Sequence, residues 1–225
     1  GTVEAFTAPA DFFAGIDPRF GVFSIPVLFR DMEHAEKTLL DPALNKEILG
    51  LGANRNLQVL SIYTFAFANY LGKQPVRSLE DFKGKKFRVN ATAAERAKMR
   101  QLGGTAVPMD LSEVIPGLQQ GVIDGTQSAT AVFVNLKFNE ISNVLTESND
   151  TMVVSVVSRP FLDRLPADLR QMVIEEGQKV QARMMARSRE LDRDMRKRWT
   201  EMGGQWHQFP AADQARMREL LGGIG

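Results

Sequence analysis

Apolar positions in this chain follow two rhythms, one of short runs in the first two thirds and one of helical spacing in the last third. Thr2 to Phe6 reads as a short strand, Leu57 to Tyr63 as another, and the β-branched run Thr151 to Ser158 as a buried one. Lys85 to Asn90 alternates, with Phe87 and Val89 on one face and Lys86 and Arg88 on the other. Phe20 to Phe29 is apolar but holds Pro26, which predicts an irregular or edge-like segment. Between these runs lie helical stretches. Asp31 is placed to cap a helix with His34 in its first turn, Asp41-Pro42 breaks it, and a second helix runs from Ala43 to Leu51, before Gly52. A turn-rich stretch follows Tyr63. Ser78-Leu-Glu-Asp81 has capping-box spacing for a short turn closed by Gly84. Ala93 to Leu102 is a helix ended by Gly103-Gly104, and Ala106 to Met109 a strand. Ser112 to Gln120 is a helix ended by Gly121, and Val122 to Gly125 a strand with a tight turn. Such alternation predicts the α/β class.

The last third differs. Between Pro166 and Met202 there is no proline and a single glycine, Gly177. Leu169, Met172, Val173, Val180, Met184, Leu191, Met195 and Trp199 recur near helical spacing, with charged residues between them. Unbroken, this would be a helix of about 35 residues and roughly 50 Å. It must then bridge two lobes or break near Gly177. Gly203-Gly204 ends it, a strand from Gln205 to Gln208 follows, and a closing helix starts near Ala211.

Composition narrows the chemistry. The 225 residues carry 28 Lys and Arg against 27 Asp and Glu, a net charge of +1, so no field exists to hold a polyanion. Lys85-Lys86 is too short for a nucleic-acid patch, and no nucleic-acid partner is expected. Cysteine is absent, which removes disulfides, thiolate nucleophiles and zinc–thiolate sites. His34 and His207 lack ligand-spaced partners, so neither a metal site nor a histidine relay is expected. There is no Gly-x-Ser-x-Gly elbow and no Gly-x-Gly-x-x-Gly turn, so no enzyme activity and no cofactor are expected.

Three blocks carry a resemblance. Ser78-Leu-Glu-Asp-Phe-Lys-Gly-Lys-Lys-Phe-Arg-Val89, Leu102-Gly-Gly-Thr-Ala-Val-Pro-Met-Asp-Leu-Ser-Glu-Val114 and Leu118-Gln-Gln-Gly-Val-Ile-Asp-Gly125 stand in one order and spacing. Together they resemble the solute-binding proteins of tripartite ATP-independent periplasmic (TRAP) transporters. Lys137-Phe-Asn-Glu140, the segment from Phe23 to Pro26 and the long helix extend the likeness. It implies a two-lobed α/β fold of the periplasmic-binding-protein kind, with a ligand cleft and a long helix spanning both lobes. Lobe I would comprise residues 1–65 with 153–185 and lobe II residues 66–152 with 186–225, with crossings near Ala66 and Val153. Thr2 matches the family's third strand, so a preceding β-α-β portion is expected to be absent. The edge strand left behind would then recruit a separate piece or a second copy of the chain.

The resemblance also selects residues. Arg88 matches the arginine that grips the ligand's carboxylate, a task suited to a planar guanidinium making two parallel charge-assisted bonds. The alternation alone better suits a surface arginine in a salt bridge, the ordinary fate of most arginines, and it is the motif that reverses this. Asn90 is placed to donate an amide hydrogen bond or to serve a loop, and Leu111 to line the cleft. Ala68 stands where many relatives carry a second arginine. Ser128, in Gly125-Thr-Gln-Ser128, stands where an amide-bearing residue is common, with Gln127 beside it. With Phe65 and Phe67 nearby, these exchanges imply a monocarboxylate with an apolar or aromatic body, although alternating aromatics also suit a core. Asp124, Asp110 and Glu113 read as turn and capping residues. The implied function is capture of a small organic acid in the periplasm for delivery to membrane permease subunits. The alternatives are a sensor docking on a receptor or kinase, and a shortened chain that binds nothing and self-associates.

Overall fold

The computed structural model describes residues 3–25, 28–29, 32–65, 68–90, 92–148, 152–222 and 224. In chain order its strands and helices are β1 (Ala5–Pro9), α1 (Met32–Leu39), α2 (Pro42–Leu49), β2 (Leu57–Thr64), β3 (Ala68–Gly72) and β4 (Lys86–Val89). Then come α3 (Ala93–Gln101), β5 (Thr105–Pro108), α4 (Val114–Gln120), β6 (Gly125–Ala129), α5 (Thr130–Asn135) and β7 (Val144–Glu147). The chain closes with β8 (Met152–Ser158), α6 (Arg159–Leu162), α7 (Ala167–Glu201), β9 (Gln205–His207) and α8 (Ala211–Leu221). The α/β class and the long helix match the expectation. Asp31, Pro26, Ala66 and Phe67 lie outside the described residues.

The chain forms two compact units, residues 1–23, 29–65 and 151–189 in one and residues 24–28, 66–150 and 190–225 in the other. The first unit holds a three-stranded antiparallel sheet in the order β1-β8-β2. Its register slips between Val59 and Ser61, and a long-range side chain repairs the ladder at that bulge. The Ile62 amide donates to Oε1 of buried Gln181 on α7 at 3.2 Å, and Gln181 Nε2 donates to the Leu39 carbonyl at 3.3 Å. Gly177 does not break α7. A Cβ there would lie 2.8 Å from Leu60 Cβ, so the glycine lets the helix close on β2. Buried Asp17 ties the loops together, its carboxylate accepting from the Gly52 amide at 2.9 Å and from Arg19 Nε at 3.0 Å.

The second unit holds a six-stranded sheet, β5-β4-β6-β3-β7-β9. β6 and β7 both run antiparallel to β3, while β4 is parallel to β5 and β6, and β7 to β9. Five strands therefore point one way and β3 alone opposes them. Neighbouring residues of β3 enter different cores, Tyr70 one with Phe82, Phe87, Val89, Met99 and Phe209, and Leu71 another with Val114, Leu118, Phe133, Met195 and Trp199. Adjacent strand residues point to opposite faces, so these are the two sides of one sheet.

Several boundaries differ from the sequence expectation. The first strand is Ala5–Pro9 rather than Thr2 to Phe6, an edge position where a terminal proline is tolerated. Pro18–Ser24 is a 3-10 helix. Asp41-Pro42 starts a helix as well as following one: the Asp41 carboxylate accepts from the Ala43 and Leu44 amides, and Pro42 occupies the first turn, where no amide is needed. Ser112 and Glu113 fall in a 3-10 turn (Leu111–Glu113) ahead of α4. Val122 does not begin a strand, because its amide and that of Ile123 bond back to the Gly117 carbonyl, and pairing starts at Gly125. A Cβ on Gly125 would lie 2.4 Å from the Phe87 ring. The stretch after Tyr63, expected to be turn-rich, includes β3, buried along its whole length.

Candidate ligand site

From β4 the chain passes through α3 to β5 on one side, then through α4 to β6 on the other. Met99 of α3 joins the Tyr70 core and Val114 and Leu118 of α4 the Leu71 core, so the two crossovers cover opposite faces. The strand order reverses between β4 and β6. In open α/β sheets the crevice beyond the carboxyl ends of the strands at such a point is where ligands bind.

Arg88 sits at that point. It is one residue from the end of β4 and pairs in register with Thr126 of β6 and Val107 of β5. Phe87 and Val89 are buried on the opposite face, as the alternation predicts. Arg88 is half-buried, and its Nε donates to the Met109 carbonyl at 2.9 Å, which fixes the plane of the guanidinium. Among the described residues no carboxylate lies within ion-pair distance of it. Burial pushes its pKa down, with the negative charges of Glu95 and Asp110 opposing that shift. An arginine stays charged regardless, so the site is a partly desolvated cation with unused donors.

The other residues singled out from the sequence distribute unevenly. Asn90 follows β4, and its Nδ2 donates to Glu95 Oε1 at 3.3 Å. Leu111 is 38% exposed and opens the 3-10 turn beyond β5, which the Asp110–Glu113 capping box holds. Ser128 lies on Arg88's face, two residues along β6 from Thr126, opposite Asn69. Gln127 pairs with Tyr70 and so belongs to the other face. Its Oε1 accepts from Lys98 Nζ at 2.6 Å and its Nε2 donates to Ser148 Oγ at 2.6 Å. Phe65 is half-buried in the first unit, immediately after β2. Ala68 is buried at the start of β3, and its carbonyl accepts from Ser148 Oγ at 3.1 Å.

Sequence reasoning missed three groups near Arg88: the Met109 carbonyl, the buried Thr126 hydroxyl, which has no hydrogen-bond partner among the described residues, and Glu95, whose charge acts on Arg88. Glu95 was legible, because Thr92 precedes it at capping spacing. Thr92 Oγ1 accepts from the Glu95 amide at 3.2 Å, setting Glu95 in the first turn of α3 beside the end of β4. Among the described residues no group of three or more His, Asp or Glu converges to hold a metal.

Among the described residues, then, Arg88 is a half-buried arginine without an ion-pair partner at the switch point of an open α/β sheet. The description of the bacterial extracellular solute-binding proteins, family 7, matches residues 1–223, and the chain belongs to that family. It is 26% identical over 181 residues to the 2,3-diketo-L-gulonate-binding periplasmic protein of Escherichia coli, covering 79% of this chain and 55% of that one. It is 31% identical over 153 residues to the C4-dicarboxylate-binding periplasmic protein of Rhodobacter capsulatus, covering 67% and 46%. The chain thus spans about half the length of these curated relatives. A solved TRAP periplasmic solute-binding protein from Xanthobacter autotrophicus Py2, with β-D-galacturonate bound, matches all of this chain and 76% of its own. Its TM-score is 0.90 at 25% identity. No described helix is long and apolar enough to cross a membrane.

Proposed function

We propose that this chain is the periplasmic solute-binding receptor of a TRAP transporter, capturing a small organic acid through Arg88 and presenting it to the membrane permease. The observation that carries this reading is the half-buried Arg88 guanidinium, fixed by the Met109 carbonyl and without an ion-pair partner among the described residues. A ligand carboxylate would supply the missing charge in the bidentate geometry that guanidinium favours. The ligand class within this reading is a monocarboxylate with an apolar or aromatic body. Ala68, where many relatives are taken to carry a second arginine, offers a methyl group and no charge, and Phe65 is half-buried. The names of these relatives give acids of varied bodies, and within this reading the residues around Arg88 contribute to the choice.

A thermal-shift panel tests this. Ligand at a hundred times its Kd should add about 2.7 kcal/mol of stability, which a melting curve reads. Aromatic and branched-chain monocarboxylates should raise the transition most. A preference for sugar acids would overturn the assigned ligand class, and a flat response to every carboxylate would overturn the receptor reading.

A further inference from the structure

β5 ends at Pro108, paired in register with Val89, so the peptide joining Met109 to Asp110 lies beyond the paired residues. Both of its polar ends are nevertheless held by side chains. Its carbonyl accepts from Arg88 Nε at 2.9 Å, and its amide, that of Asp110, donates to Glu113 Oε2 at 3.2 Å. A peptide unit is planar, so its carbonyl and amide turn together, and holding one end sets the direction of the other. A carboxylate on the amide also polarises the unit and makes its carbonyl the better acceptor. Glu113 is held in turn, its own amide donating to the Asp110 carbonyl at 3.0 Å across the 3-10 turn Leu111–Glu113. The Met109 side chain packs towards α4, where its sulfur would lie 3.2 Å from a Cβ at Gly117. The acceptor that orients Arg88 is therefore fixed from the α4 side, and Glu113 is the side chain that bonds to its peptide.

We infer that Glu113 is a positioning residue of the Arg88 site, fixing through the Met109–Asp110 peptide the plane in which the guanidinium meets a carboxylate. The inference rests on the reading of Arg88 as the carboxylate anchor. Two parallel charge-assisted bonds require the guanidinium and the carboxylate to share a plane, so a guanidinium free to turn loses part of its advantage. Glu113 acts without touching the ligand. It also caps the turn before α4, a duty that affects stability alone. The two duties differ in what they move: loss of a cap lowers the unfolding temperature, whereas loss of positioning frees the Arg88 Nε–H and weakens carboxylate binding.

Exchange of the Arg88 Nε–H proton with water, read by nuclear magnetic resonance on the unliganded 225-residue chain, separates them. The signal is assigned by its absence from Arg88→Lys. Glu113→Ala should quicken that exchange roughly threefold or more and weaken phenylacetate binding, measured by isothermal titration, about fivefold. Glu113→Gln keeps an acceptor oxygen and should stay within about twofold of the parent in both. Asp41→Ala removes the cap of α2 in the first unit and should lower the unfolding temperature with neither effect. Unchanged exchange in Glu113→Ala, or equal changes in Glu113→Ala and Asp41→Ala, would overturn the inference. Faster exchange with unaltered phenylacetate affinity, or no phenylacetate binding by the parent, overturns Arg88 as the anchor and takes the inference with it.

Discussion

The hydrogen bond from Arg88 Nε to the Met109 carbonyl orients the guanidinium, and in the proposed receptor its terminal nitrogens meet the ligand. Lysine at this position would keep the charge and lose both the anchoring bond and the paired donors. Arg88→Lys should therefore weaken binding of the carboxylate ligand by about 1–3 kcal/mol with little change in the unfolding temperature of the unliganded chain. Titration calorimetry beside a melting curve checks both halves. Asp17 offers a different residue-scale test. The Arg19 guanidinium, with the Gly52 and Arg19 amides, holds its carboxyl well below the usual value of 3.8 against the opposing effect of burial. A depressed folded pKa contributes stability that is present above the unfolded value and lost as pH falls through the folded one. Asp17→Asn should thus cost about 1–3 kcal/mol near neutral pH, and the gap between the two proteins should narrow below pH ~4. Denaturant melts across that range measure it.

At the scale of elements, α7 tests packing against propensity. Gly177→Ala would raise intrinsic helix preference by about 1 kcal/mol, yet its Cβ would meet Leu60 Cβ at 2.8 Å. Overpacking against the root of the Leu60 side chain costs about 1–3 kcal/mol, so the net change should be a loss, read as a lower urea midpoint. Elements with a strong local signal were legible in advance: the Ser78–Asp81 and Asp110–Glu113 caps, the alternation around Arg88 and the spacing along α7. β3 was not. Ala68-Asn-Tyr-Leu-Gly72 has no β-branched residue and no alternation, because it is buried on both faces and its identity as a strand comes from pairing with β6 and β7. The site divided in the same way. The facing of Arg88 on β4 could be read from strand period, whereas that of Gln127 depends on the register of β6 with β3, which one residue of slip reverses.

For the whole molecule, the two units are interleaved in sequence, each assembled from three separate stretches of chain. Order of synthesis then matters. The sheet of the second unit has β3 to β7 in hand by residue 147, but Met195 and Trp199 of its core, with β9 and α8, arrive only after the first unit's 151–189 has been made. Trp199 is fully buried, so until it is delivered its partners Leu71, Phe133 and Leu145 stay open to water. Residues 66–150 expressed alone should show no cooperative thermal transition by circular dichroism, although they carry Arg88 and every strand beside it. Refolding of the complete chain should be slow for its size, since so many pairings join distant segments. A nascent chain of this kind remains loose until β9 and α8 have been made, which is the state a threaded export pathway can accept.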